Sequence, residues 1–191
     1  MDQDVAVVGI GSTAFRSLTP ELSYRELIYE AAVRAYIDAG VDPRTDVDSF
    51  VTLAEDFSEG TSIFDEYTPD QIGGAMRPVH TITADGLFGI AAGVMQILTG
   101  EFEIVVVEAH SKASNLLTPN YVTAYGLDPI YNRPLNAHPN FIAGMEKNRY
   151  LFESGTSESA CAKVCVKNYR NALGNPLAPY GSLLQMHDVL D

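Results

Sequence analysis

Residues 79–88 read Val-His-Thr-Ile-Thr-Ala-Asp-Gly-Leu-Phe, and from Gly86 the chain stays apolar to Leu98. The β-branched run predicts a strand from Pro78 to Thr83, and the apolar stretch after it predicts a helix from Gly86 to Leu98. A helix apolar nearly all round belongs between two layers rather than at a surface. Glu103-Ile-Val-Val-Val-Glu108 then reads as a buried parallel strand. Thr83 is the hinge of this unit: the residue that ends the strand and stands where the helix begins.

Working outward, the same alternation of strand and helix recurs. Val5-Ala-Val-Val-Gly-Ile10 is a short apolar strand bounded by glycine. Ser23 and Glu26 have the spacing of a capping box, and Gly40 with Pro43 closes the helix they open. Within that helix Leu27, Ile28, Ala31, Ala32, Ala35 and Tyr36 recur at helical spacing and define one buried stripe. Ser49 to Leu53 predicts another strand, and Ser62 to Ile72 a weak helix. The class is α/β. After Ser114 the texture changes to prolines and tyrosines, an ordered insertion with its own apolar residues. Helical patterning returns over Phe141 to Phe152 and Ser157 to Leu173, and Gly174-Asn175-Pro176 stops it. The expected organisation is a core over 1–114, an insertion over 115–180, and the start of a connection over 181–191.

Composition narrows the function classes. Hydrophobic residues are 46% and charged residues 19% of 191, which suits a folded domain. A net charge of −13 argues against nucleic acid and anionic membrane as partners. No apolar run reaches membrane-spanning length, and Met-Asp-Gln-Asp lacks the basic start of a signal peptide, so the expected location is cytoplasmic. Charge is unevenly placed: residues 38–70 are acidic with Arg44 as their one base, whereas 133–170 carry Arg133, Lys147, Arg149, Lys163, Lys167 and Arg170. An anionic ligand would favour the second region.

Three motifs carry less than they suggest. Gly9-Ile-Gly11-Ser-Thr-Ala14 matches a dinucleotide-binding pattern, but the next helix begins only near Ser23, too late for its amides to face a pyrophosphate. A tight glycine turn is the expected reading. Cys161 and Cys165 share a helical face, yet His138 and His187 complete no zinc spacing, so both read as reduced core thiols and no metal is expected. The four histidines are scattered and form no evident Ser/His/Asp arrangement.

The ordered set of segments resembles the N-terminal half of a thiolase, closest to the sterol-carrier-protein-X and archaeal branch. The resemblance rests on Val5–Phe15, Ser23–Gly40, Thr81–Gly100, Ile104–Ser114 ending His110-Ser-Lys-Ala-Ser114, Gly144-Met-Glu-Lys-Asn-Arg-Tyr150, Gly155-Thr156, Ala162-Lys-Val164, and Lys167-Asn168 with Asn175-Pro176. It implies one half of a thiolase-like fold, with a mixed five-stranded-type sheet, helices on both faces and an inserted loop domain. It also implies a coenzyme A thioester as substrate, with no separate cofactor.

Two departures matter. The family's Cys-Ala-Ser/Thr-Gly turn stands here as Thr83, Ala84, Asp85 and Gly86, so the nucleophilic cysteine is replaced by a hydroxyl of far weaker nucleophilicity. Thr83 and Asp85 are the catalytic candidates, Asp85 as a helix cap or a general base. The family's catalytic histidine and second cysteine come from its later half, and this chain closes at Met186-His-Asp-Val-Leu-Asp191, where one half would pass into the other. Gly86, His110, Arg133, Lys147, Arg149 and Lys163 are the candidates for substrate and CoA contacts.

The expected function is acyl-CoA binding with carbon–carbon bond cleavage or formation and no cysteine acyl-enzyme, as in retro-aldolases of this family. The alternative is a non-catalytic thiolase-like subunit that binds acyl-CoA or scaffolds an active partner. A hydroxyl nucleophile in a conventional thiolase is a third possibility. The partners implied are a homo- or hetero-oligomer, a C-terminal thiolase half, and a small protein with an OB-fold and zinc ribbon. An apolar face is expected to stay exposed on the isolated chain.

Overall fold

The computed structural model describes residues 4–13, 15–16, 18–54, 67–84, 86–112, 124 and 126–190. The chain forms two compact units, one of Met1–Thr13 with Thr19–Pro119, the other of Ala14–Leu18 with Asn120–Asp191.

The first unit is built on a parallel sheet. Strand β1 is Ser49–Leu53, β2 is Val79–Ile82 and β3 is Val105–Ala109, in the order β2-β1-β3. Phe50 pairs with Val79 and Val106, and Leu53 with Ile82 and Ala109, so β1 is hydrogen-bonded on both edges. Every residue of β1 is buried. Alternate side chains point to opposite faces, and each face takes a helix.

Helix α1, Tyr24–Ala39, covers one face. The capping box between Ser23 and Glu26 is present, and Gly40 ends the helix at φ 69°, where the absence of Cβ permits the left-handed turn. Ile28 and Ala32 meet Phe50, Val47 and Ile72, with Tyr24, Tyr36, Val79, Ile104 and Val106 around them. The short helix α2, Pro69–Ile72, closes this core, and the Tyr36 hydroxyl donates to the Ile72 carbonyl at 2.5 Å. Residues 62–66 of the expected weak helix lie outside the described residues.

Helix α3, Gly86–Leu98, covers the other face as predicted in span. A Cβ on Gly89 would stand 2.3 Å from Leu53 Cδ1 and 2.8 Å from Val107 Cγ1, so glycine lets the helix lie close on the sheet. The expected burial on both sides is not found: Leu87 is 76% exposed and Phe88 63%, with Ile90, Met95 and Leu98 also exposed.

The α/β class is as expected, and among the described residues the sheet has three strands, all parallel. Two expectations at the N-terminus are corrected. Val5–Ile10 joins no ladder; it runs beside α1, with Ile10 N–H donating to Asp38 Oδ2 at 2.9 Å and Arg34 donating to the Ser12 carbonyl at 2.5 Å. Gly9 and Gly11 serve this contact rather than a tight turn, since a Cβ on Gly11 would stand 2.0 Å from the Ala31 carbonyl oxygen.

The second unit is helical. A 3-10 turn at Arg133–Leu135 precedes α4, Pro139–Ser154, and α5, Glu158–Ala172, followed by the short α6, His187–Leu190. Pro139 opens α4 behind His138, whose Nδ1 accepts from the Asn140 N–H, and Ser157 caps α5. No described helix is long and apolar enough to cross a membrane.

Candidate functional site

The sheet's C-terminal ends gather Thr83, Gly86 and His110 at one end of the first unit. Thr83 is exposed one residue past β2, and α3 begins at Gly86. A Cβ on Gly86 would touch Ala109 at 3.5 Å, so the start of α3 lies over the end of β3. The first amides of a helix this long point outward without intrahelical partners and carry the positive end of its dipole. Asp85 lies outside the described residues.

His110 follows β3 by one residue, its N–H donating to the Leu53 carbonyl at 3.1 Å. Its ring turns toward α1. Nδ1 sits 2.9 Å from Glu108 Oε1, with both side chains nearly buried, and the ring stacks on Tyr24 at 5.8 Å between centroids. Lys112, also buried, donates to the carbonyls of Thr19 at 2.9 Å and of Leu22. Residues 108, 110 and 112 thus use the strand's two-residue period to place carboxylate, imidazole and ammonium along one side. Across the sheet Thr52 is the register partner of both Glu108 and Thr81, and its hydroxyl lies 3.4 Å from that of Thr81. Burial, then the Glu108 charge, pushes the Tyr36 phenol above its ordinary range, so Tyr36 stays a donor at all physiological pH values.

Glu108, Lys112 and Tyr24 were not among the sequence candidates. Their signal was nonetheless present: Glu108-Ala-His110-Ser-Lys112 sets three ionisable residues at alternate positions where an apolar strand ends. His110 therefore acts first as part of a buried polar cluster, with Glu108 fixing its orientation.

The basic candidates occupy the second unit. Lys147 Nζ contacts Glu158 Oε1 at 2.6 Å, joining α4 to α5, and the Arg149 Nε donates to Glu153 Oε1 at 2.6 Å. The hydrogen bond from Lys147 and then its charge hold the Glu158 carboxyl below its usual range. The Arg133 guanidinium donates to the Leu127 carbonyl at 3.0 Å. Lys163 is exposed on α5 without a carboxylate partner among the described residues. Three of the four expected phosphate contacts thus already hold local partners. Among the described residues no group of three or more His, Cys, Asp or Glu is arranged to hold a metal.

No protein-family model matches the chain. An acetyl-CoA acetyltransferase of Methanothermobacter thermautotrophicus is 27% identical over 99% of the chain and 50% of its own length. An acetyl-CoA acetyltransferase of Methanocaldococcus jannaschii is 25% identical over 99% of the chain and 49% of its own length. The chain thus spans about half the length of the curated relatives it matches. Among solved structures, an Ltp2–ChsH2(DUF35) aldolase superposes with a TM-score of 0.70 at 24% identity, covering 97% of this chain and 48% of that one. A monomeric SCP2-thiolase-like protein of Mycobacterium smegmatis gives a TM-score of 0.63 at 20% identity, covering 96% and 38%. These two likenesses concern the fold.

Proposed function

We propose, from the premise that the chain is a half-domain of the thiolase superfamily, that it binds an acyl-CoA and promotes carbon–carbon bond cleavage or formation without a cysteine acyl-enzyme. The observation that carries this reading is the turn from β2 into α3, where a threonine hydroxyl, not a thiol, stands before the amides of a helix start.

When a carbon–carbon bond next to a thioester breaks, the β-hydroxyl gives up its proton to a base outside these residues and becomes a carbonyl, while the bond's electron pair moves onto the thioester oxygen as an enolate. Helix-start amides suit that charge, because they are already oriented and carry the positive dipole end. The Thr83 hydroxyl donates to the same oxygen and remains uncharged, since a threonine hydroxyl is a far weaker nucleophile than a thiolate near neutral pH. Proton transfer to and from carbon falls to groups outside these residues. The outward face of α3, with Leu87, Phe88, Ile90, Met95 and Leu98, is where a complementary half packs.

Intact mass after incubation with an acyl-CoA, beside calorimetric titration with the same compound, tests the reading. Binding without a covalent acyl adduct is expected. An adduct on Thr83, removed in Thr83→Ala, would overturn it, as would absence of binding in the presence of the complementary half.

A further inference from the structure

The second unit holds a small cavity of about 240 Å³ bounded by Lys147 of α4, Glu158, Cys161, Ala162 and Cys165 of α5, and Val189 and Leu190 of α6. Both thiols are free and half-buried, and they lie one helical turn apart on the same wall. The Lys147 ammonium and Glu158 carboxylate, bonded at 2.6 Å, form the polar part of the lining and are themselves well exposed. Each keeps unused capacity, because an ammonium has three donors and a carboxylate several acceptor positions.

We propose that Cys161 is a site of reversible S-thiolation by a small zwitterionic disulfide of the glutathione class. The charged lining offers an ammonium for the ligand's carboxylate and a carboxylate for its amino group, while Ala162, Val189 and Leu190 supply the apolar wall. Cys161 stands three residues after Glu158 on the same face of α5, one helical turn nearer the Lys147–Glu158 pair than Cys165. The ammonium there also draws the incoming ligand's carboxylate toward this thiol. In the reaction Cys161 loses its proton to water and its sulfur attacks one sulfur of the disulfide. A new S–S bond forms, the old one breaks, and the departing thiolate takes up a proton, so one thiol is consumed and one released.

Cys165 does not resolve the adduct. Helical neighbours four apart hold their Cβ atoms about 5–6 Å from one another, whereas a disulfide needs roughly 3.5–4.5 Å. The mixed disulfide therefore accumulates, and an internal Cys161–Cys165 bond does not replace it.

Oxidised glutathione is added to the full chain, and intact mass with peptide mapping follows the products. The expected result is a single glutathionyl group on Cys161, kept in Cys165→Ser, lost in Cys161→Ser and reversed by a reducing thiol. Lys147→Met slows thiolation roughly threefold to tenfold through loss of one nearby partly screened charge, and Lys147→Arg restores it, with helical circular dichroism unchanged in both. A first adduct on Cys165, an internal disulfide as the main product, no reaction at either thiol, or an unchanged rate in Lys147→Met would each overturn the proposal.

Discussion

Helices α1 and α3 cover opposite faces of one small sheet, and they do so by contrary means. Helix α1 sends Ile28 and Ala32 into the core and keeps Glu26, Glu30 and Arg34 on its polar surface, where Arg34 pairs with Glu30. Helix α3 buries two glycines, Gly89 and Gly93, and turns its large apolar side chains outward. Helix α1 already has partners on two sides, the sheet core at Ile28 and Ala32 and the N-terminal segment at Ala31 and Ala35. Helix α3 leaves Leu87, Phe88, Ile90, Met95 and Leu98 exposed on its second side, which is the mark of a helix built for contact on two sides.

Substitutions at the two faces sharpen that contrast. Ile28→Ala should cost about 2–5 kcal/mol in urea unfolding, because the side chain is 2% exposed and leaves a cavity among Phe50, Val47 and Ile72. Gly89→Ala should cost roughly 1–3 kcal/mol, since its Cβ must displace Leu53 and Val107. A loss near zero there would mean that α3 floats on the sheet, and the contrast would fail. Removing the cap with Ser23→Ala should cost about 1 kcal/mol by the same measurement.

Asp48 gives a pH-dependent effect on the α1 side. Its carboxylate accepts from the N–H groups of Ile104 at 3.0 Å and Glu103 at 2.8 Å, and these bonds hold it below the usual carboxylate range. A depressed carboxylate stabilises the fold fully above its unfolded pKa, and that stability fades as pH falls through the folded pKa. Unfolding midpoints should therefore drop below about pH 4, and Asp48→Ala should flatten the part of the drop it causes. The smallest change in stability is expected for Leu87→Ser with Phe88→Ser, within about 0.5 kcal/mol. The same pair should abolish binding of a complementary half in sedimentation measurements; retained binding would assign the outward face another role.

The sequence made α1 legible because its signals are local: Ser23 with Glu26, then Gly40, act within a few residues. The strand at 49–53 and the helix at 86–98 were legible for the same reason, each carrying one uninterrupted pattern. Val5–Ile10 was misread because an apolar β-branched run states only that a segment is extended; whether it pairs depends on what α1 offers at Ala31, Ala35 and Asp38. At the candidate site, Arg149 with Glu153 is visible in spacing, but Lys147 with Glu158 depends on how two helices meet. The turn of His110 toward Glu108 and Tyr24 followed from strand parity, a signal present but outweighed by its place after β3.

The burial of β1 has a temporal meaning as well. Its backbone is bonded to neighbours on both edges, with Phe50 donating to the Pro78 carbonyl at 2.9 Å and the Leu53 carbonyl taking the His110 N–H. With both edges bonded, hydrogen exchange at β1 should wait for the whole first unit to open. The amide protons of residues 50–53 should thus be the slowest of the first unit and serve as an internal clock for its unfolding.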